Sequence, residues 1–208
     1  MDNFSASITP EQKDAITEVI NIGFGRAAAS LSILIGSHVI LHAPQVEIHP
    51  LTELSSILQR YSPHEEIIIH QIFKGSISGD VLLFMDVHSA AVLVDLLSGG
   101  PGTPKPLDPS DREALIEVGN ILMNGYIGSF GNLLKLKLTF SLPHMREESL
   151  AFWQEKTTSA ADQSDQYVVL VKTDFTVAKA QASGYIALLL ELDSLKVLVE
   201  RVEKEMQV

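Results

Sequence analysis

Glu18 and Asn21 stand three positions apart, and Pro44 follows 23 positions after the asparagine; Glu117, Asn120 and Pro143 repeat that spacing later in the chain. The offset between the copies is 99 at all three places, and Ala15/Ala114, Val19/Val118, Ile22/Ile121, Ser30/Ser129 and Leu34/Leu133 match at the same offset. On a helix this spacing sets a carboxylate and a carboxamide one turn apart on one face. A single copy reads as a solvated face, because exposed polar residues are the norm. Mid-helix Asn, however, is a poorer helix former than Ala by roughly half a kcal/mol. Its retention in two diverged copies points to a face that meets a partner. Beyond Asn21 that face holds Gly25, Ala28, Ala29 and Ser32, and beyond Asn120 it holds Asn124, Gly128 and Gly131. Such residues let a partner surface approach the backbone.

Other chemistries find less support. Cysteine is absent, which removes thiol nucleophiles, thiolate metal sites and disulfides together. His38 and His42 share a strand face without a third ligand, so no metal site is expected. Ser30 and Ser129 lack His and Asp company at a nucleophile spacing. Gly23-Phe24-Gly25-Arg26-Ala27-Ala28 matches a dinucleotide-binding pattern, but inside a predicted helix rather than after a strand. Trp153 reads as core or interface packing.

The elements that position the two pairs follow from caps and periodicity. Thr9-Pro10-Glu11 with Gln12 at the capping-box position starts a helix that runs to Ile35 and stops at Gly36-Ser37. Asp14, Glu18 and Asn21 share its outer face, and Ile16, Val19, Ile20, Ala27 and Leu34 form the buried one. His38 to Ile48 alternates as a strand carrying Pro44, Leu51 to Tyr61 has helical spacing, and Ser62-Pro63 breaks it. Glu65–Lys74 and Ile77–Asp86 form a hairpin joined at Gly75-Ser76, and Ser89–Leu97 is a short helix.

Gly99 to Pro106 is the richest Gly/Pro run and divides the chain into halves of about 9–100 and 107–208. The second half repeats the order. A helix runs from Asp108-Pro109 to Leu134, with Glu113, Glu117 and Asn120 outward and Leu115, Val118, Leu122, Tyr126 and Leu133 inward. Lys135–Leu142 is a strand, Glu147–Trp153 a helix and Thr157–Gln166 a loop. Tyr167–Ala178 and Gly184–Leu192 form a hairpin, and Ser194–Glu205 closes the chain. Ser78-Gly79 and Ser183-Gly184 match at an offset of 105, so the second copy carries six extra residues in its middle loop. The fold class is α+β: a tandem duplication of an α-β-β-β type unit whose two hairpins join one largely antiparallel sheet.

At 208 residues, with 46% apolar and 20% charged residues, the chain has the composition of a globular domain rather than a disordered one. A net charge of −11 and a pI near 5.0 oppose binding to nucleic acid phosphates. No apolar run reaches membrane-spanning length, and residues 1–9 carry no leader pattern, so a cytoplasmic protein is expected.

The chain resembles the CheC family of chemotaxis phosphatases, whose signature is Asp or Ser, three residues, Glu, two residues, Asn, 22 residues, Pro. Asp14-Glu18-Asn21-Pro44 fits it, and Glu113-Glu117-Asn120-Pro143 fits it with Glu in the leading place. Asn21-Ile22-Gly23-x-Gly25 and Gly119-Asn120-Ile121-Leu122 also look like that family; Phe24 and Arg26 depart from it. The resemblance covers essentially the whole chain, as a single domain of two pseudo-symmetric halves. It implies hydrolysis of the phosphoaspartate of a CheY-like response regulator, which carries its own Mg²⁺, so that this chain needs no cofactor or metal ligand. By the same resemblance Asn21 and Asn120 orient the attacking water, and Glu18 and Glu117 pair with a regulator lysine. A carboxamide suits that task because it accepts and donates without titrating. The alternatives are a non-catalytic module that holds a regulator, a flagellar-switch component, or a protein that chiefly binds a CheD-type deamidase. Relatives in the switch carry additional terminal segments, and the place of the motif near the start of this chain favours the stand-alone enzyme. Duplication within one chain makes a monomer the simpler expectation.

Overall fold

Both long helices begin with reciprocal caps. In the first, α1 (Pro10–Ile35), Gln12 N donates to Thr9 Oγ1 at 3.2 Å and Thr9 N donates to Gln12 Oε1 at 2.7 Å. In the computed structural model, which describes residues 8–42, 45–54, 56–57, 66–146, 166–177 and 180–206, the later helix Pro109–Leu133 has the same device. There Asp111 N donates to Asp108 Oδ1 and Asp108 N donates to Asp111 Oδ2, each at 3.0 Å. That backbone N–H holds the Asp111 carboxyl below its usual range. The helix ends correspond too. Gly36 closes α1 with φ 68°, and 99 positions later Lys135 adopts φ 53° while Leu136 N donates to Gly131 O at 3.1 Å. This is a Schellman-type end. Its non-glycine left-handed residue sends its ammonium to Glu205.

The strands are β1 (Val39–Leu41), β2 (Gln45–Pro50), β3 (Glu66–Gly75), β4 (Gly79–Asp86), β5 (Leu138–Phe140), β6 (His144–Arg146), β7 (Gln166–Val177) and β8 (Ala180–Glu191). They form one sheet in the order β1-β7-β8-β4-β3-β5, with β2 also on β7 and β6 also on β3. Every pairing is antiparallel. The hairpins β3–β4 and β7–β8 therefore meet at the centre, along β4–β8. Each half gives its first strands to the other half's hairpin: β1 and β2 pair with β7, and β5 and β6 pair with β3.

Each single strand expected ahead of a hairpin is broken in two. Leu41 faces Phe175 but Gln45 faces Lys172, and Phe140 faces Phe73 but His144 faces His70. The register thus slips by one residue at equivalent places in both copies, which is the signature of a β-bulge. In the second copy the extra residue falls at residues 141–143, where a proline without an N–H is tolerated. Ser141 N donates to Ile72 O at 2.9 Å, Ser141 Oγ accepts from Ile72 N at 3.0 Å, and Ser141 O accepts from Gln71 Nε2 at 2.9 Å. Pro44, the 58–65 segment, and the helix and loop expected over 147–165 lie outside the described residues. Of the helix expected over Leu51–Tyr61, Leu51–Glu53 form a 3-10 turn, and Leu54, Ser56 and Ile57 are helical.

The remaining helices are α2 (Val87–Leu97), α3 (Pro109–Leu133) and α4 (Leu192–Met206). The sequence reading starts α2 two residues too late, because Asp86 caps it by accepting from Ser89 N at 2.8 Å. The helices cover one face of the sheet, packing Ile16, Val19, Ile20, Leu115, Val118 and Leu122 over Ile69, Val81, Leu83 and Val169. On the other face Leu51, Leu54 and Ile57 lie over Ile68, Leu82, Phe84 and Leu170. Central strands covered on both faces read in sequence as continuous apolar runs such as Val81–Met85. α1 also contains a window long and apolar enough to cross a membrane by composition, with a mean hydropathy of 1.3. Its Ile16, Val19, Ile20, Phe24 and Leu31 belong to the core beside the sheet. Leu34, expected inside, is 42% exposed; Ile35 packs against the core instead, since the stripe continues from Leu31 by four residues rather than three.

α1 and α3 cross in close contact. A methyl group on Gly23 would lie 2.2 Å from Ser129 Oγ, and one on Gly125 would lie 2.8 Å from Ala27 Cβ. Residues 23 and 27 rise along α1 while their partners 129 and 125 fall along α3, so the helices run antiparallel. Gly23→Ala is expected to lower stability by about 1–3 kcal/mol through overpacking, read from urea unfolding midpoints, with Ser129→Ala in the same chain recovering part of the loss. Beside the crossing, Tyr126 is fully buried between Phe24 and Phe130, and its hydroxyl has no hydrogen-bond partner among the described residues. Burial pushes the phenol well above its ordinary pKa. Tyr126→Phe removes this unsatisfied group and should raise stability by about 1 kcal/mol in the same assay.

Candidate functional site

The close crossing decides which way the polar pairs face. With Ile16, Val19, Ile20 and Phe24 buried, helical periodicity turns Glu18 outward and leaves Asn21 at the border of the buried stripe: Glu18 is exposed and Asn21 half-buried. On α3, Leu115, Val118, Leu122 and Met123 are buried, Glu117 is exposed and Asn120 half-buried. Asp14 and Glu113, one turn earlier, are exposed. Both pairs lie N-terminal to the crossing, and the helices run antiparallel. The pairs therefore sit toward opposite ends of the helix pair, as two separate surfaces rather than one composite pocket.

The surfaces are not identical. Asn124 Nδ2 donates to Asn120 Oδ1 at 2.6 Å, one turn along α3. At the same place on α1 stands Gly25, around which a side chain would meet nothing within 4 Å. The Asn21 side chain has no hydrogen-bond partner among the described residues. Of the two residues that depart from the family pattern, Phe24 points into the core, 6.0 Å from the Tyr126 ring, and leaves the outer face untouched. Arg26 is exposed.

The structure also accounts for the residues set aside. Gly23, the first residue of the dinucleotide-like pattern, is buried against Ser129 and serves helix packing. Ser129 Oγ donates to Gly125 O at 2.6 Å within its own helix, so that hydroxyl is committed to a backbone group. Ser30 is exposed on α1. Among the described residues no group of three His, Cys, Asp or Glu side chains has a metal-holding arrangement. The bond from Asn124 to Asn120 is the feature that sequence reasoning missed. Its signal was present as two amide residues at i and i+4, a spacing that brings helical side chains together.

Known proteins resemble the chain in sequence and in fold. No family model matches the chain. The flagellar motor switch phosphatase FliY of Bacillus subtilis is 31% identical over 170 residues, covering 80% of this chain and 42% of its own. The chain thus spans less than half the length of that relative. The CheY-P phosphatase CheC of the same organism is 24% identical over 172 residues, covering 80% of each. Among solved structures, Thermotoga maritima FliY superposes with a TM-score of 0.78 at 24% identity, over 95% of this chain and 98% of that one. The FliM middle domain from Helicobacter pylori gives a TM-score of 0.64 at 11% identity, over 93% of this chain and 99% of that one. At these identities the structural likenesses show the fold.

Proposed function

We propose that this chain, which belongs to the CheC family, hydrolyses the aspartyl phosphate of a CheY-like receiver domain. One observation carries the reading: two Glu–Asn pairs, each one helical turn apart, face outward from helices whose opposite faces are fixed in the core. The fold itself is shared with FliM, so it does not choose between hydrolysing a partner and only holding one. The pairs carry that choice.

An acyl phosphate is already reactive, and a helper gains most by holding water in line with phosphorus. In this account the Asn21 or Asn120 carboxamide hydrogen-bonds that water. As the water oxygen bonds to phosphorus, the bond from phosphorus to the aspartyl oxygen breaks, leaving inorganic phosphate and a free carboxylate. The amide takes no proton; the water's proton passes to the departing phosphate or to solvent. Glu18 and Glu117 pair with a lysine beside the phosphorylation site and fix the register of docking. The Mg²⁺ needed for charge neutralisation belongs to the receiver.

The test follows phosphate loss from a phosphorylated receiver with Mg²⁺. The wild-type chain is expected to accelerate it, Asn21→Ala and Asn120→Ala each to remove part of the effect, and the double variant to return the decay to the receiver's own rate while still binding. A wild-type chain that binds the receiver and leaves its phosphate lifetime unchanged would replace this reading with the holding module.

A further inference from the structure

The two copies of the motif differ most at one place on the proposed contact face. Residue 124 in α3 and residue 25 in α1 are equivalent by the offset of 99, and each follows its motif asparagine by four positions. At about 100° per residue both project from the middle of the outward face, between the Glu and Asn directions. One is Asn and the other Gly. The Asn124 donation to Asn120 Oδ1, at 2.6 Å, is short and joins two half-buried side chains. The other end of the Asn124 amide, Oδ1, is buried with no hydrogen-bond partner among the described residues. A buried amide oxygen without a partner is costly, so the side chain is not there to satisfy itself. The bond it does make acts on Asn120.

We infer that Asn124 is a positioning residue that fixes the carboxamide of Asn120 before any partner arrives, and that the site on α1 lacks this device because Gly25 stands in its place. The inference rests on the proposed water-orienting role of Asn120 and deepens it. An asparagine terminal torsion is broad and two-fold, so a free carboxamide exchanges its oxygen and nitrogen ends. Donation from Asn124 holds the oxygen end of the Asn120 carboxamide along the helix and so fixes which end of that amide faces which way. The second oxygen lone pair stays available to a water. On α1 the Asn21 amide must be ordered during each encounter, at the entropic cost of fixing a side chain. The α3 site is therefore the faster one.

Two measurements test this. In solution, the side-chain amide nitrogen of Asn120 is expected to show a higher NMR order parameter than that of Asn21, and Asn124→Gly should bring it down to the Asn21 level. In phosphate-release assays with one site silenced, Asn124→Gly in the Asn21→Ala chain should slow the maximal rate, measured at saturating receiver, by about three- to tenfold. The reciprocal change, Gly25→Asn in the Asn120→Ala chain, should raise the rate of the α1 site by a similar factor. The surroundings of Gly25 are open, so this variant introduces no clash and a failure to fold is not expected to mask the result. Unchanged order parameters, or unchanged rates in both chains while wild type remains active, overturn the inference. A wild-type chain without activity overturns the phosphatase reading and the rate claim with it. The order parameters then still decide whether Asn124 holds Asn120.

Discussion

The contact between Gly23 and Ala27 of α1 and Gly125 and Ser129 of α3 is the constraint from which the rest of the site follows. Two helices of 26 and 25 residues can lie this close only where their facing residues are small. Closeness leaves little freedom to rotate about the helix axes, because Phe24, Tyr126 and Phe130 pack beside the crossing. The outward direction of Glu18, Asn21, Glu117 and Asn120 is set by what is locked inside. Small residues that would suit a phosphate loop in another context here set the distance between two helices.

The sheet beneath reinforces that arrangement. Each half supplies strands to the other's hairpin, so the duplicated units are joined by pairings that cross between them in both directions. The repeated bulge gives the same one-residue offset on both sides. In the second copy Ser141 absorbs the backbone groups that the slip would otherwise leave unpaired. Duplication thus yields two polar surfaces on one scaffold rather than two loosely joined modules.

Much of this was legible in the sequence because the deciding signals are local. Thr9-Pro10 with Gln12 and Asp108-Pro109 with Asp111 mark helix starts by their own capping chemistry, and the apolar stripes turn the motif residues outward. The apolar stretches Glu65–Lys74 and Ile77–Asp86, joined at Gly75-Ser76, marked a hairpin. What the sequence did not reveal depends on contacts between distant segments. The slip at residues 141–143 is defined by pairing with β3, and the exchange of edge strands has no local signature. The burial of Gly23 depends on α3, more than 100 residues away. Leu34 was misplaced because the last turn follows the four-residue step to Ile35. The Asn124–Asn120 bond was within reach of helical spacing, but a stripe described as small and polar concealed that its one amide lies over the other.

The central claim is that the outward faces of α1 and α3 meet a receiver domain through Asn21 and Asn120. It is tested most directly by following the side-chain amide signals of this chain while a receiver is added, held in its activated form by Mg²⁺ and beryllofluoride. The account predicts that the Asn21 and Asn120 amides shift on binding, while the exposed Asn132 amide at the far end of α3 does not. Binding that moves neither motif amide, with shifts confined to α4 or to a sheet edge, would contradict it.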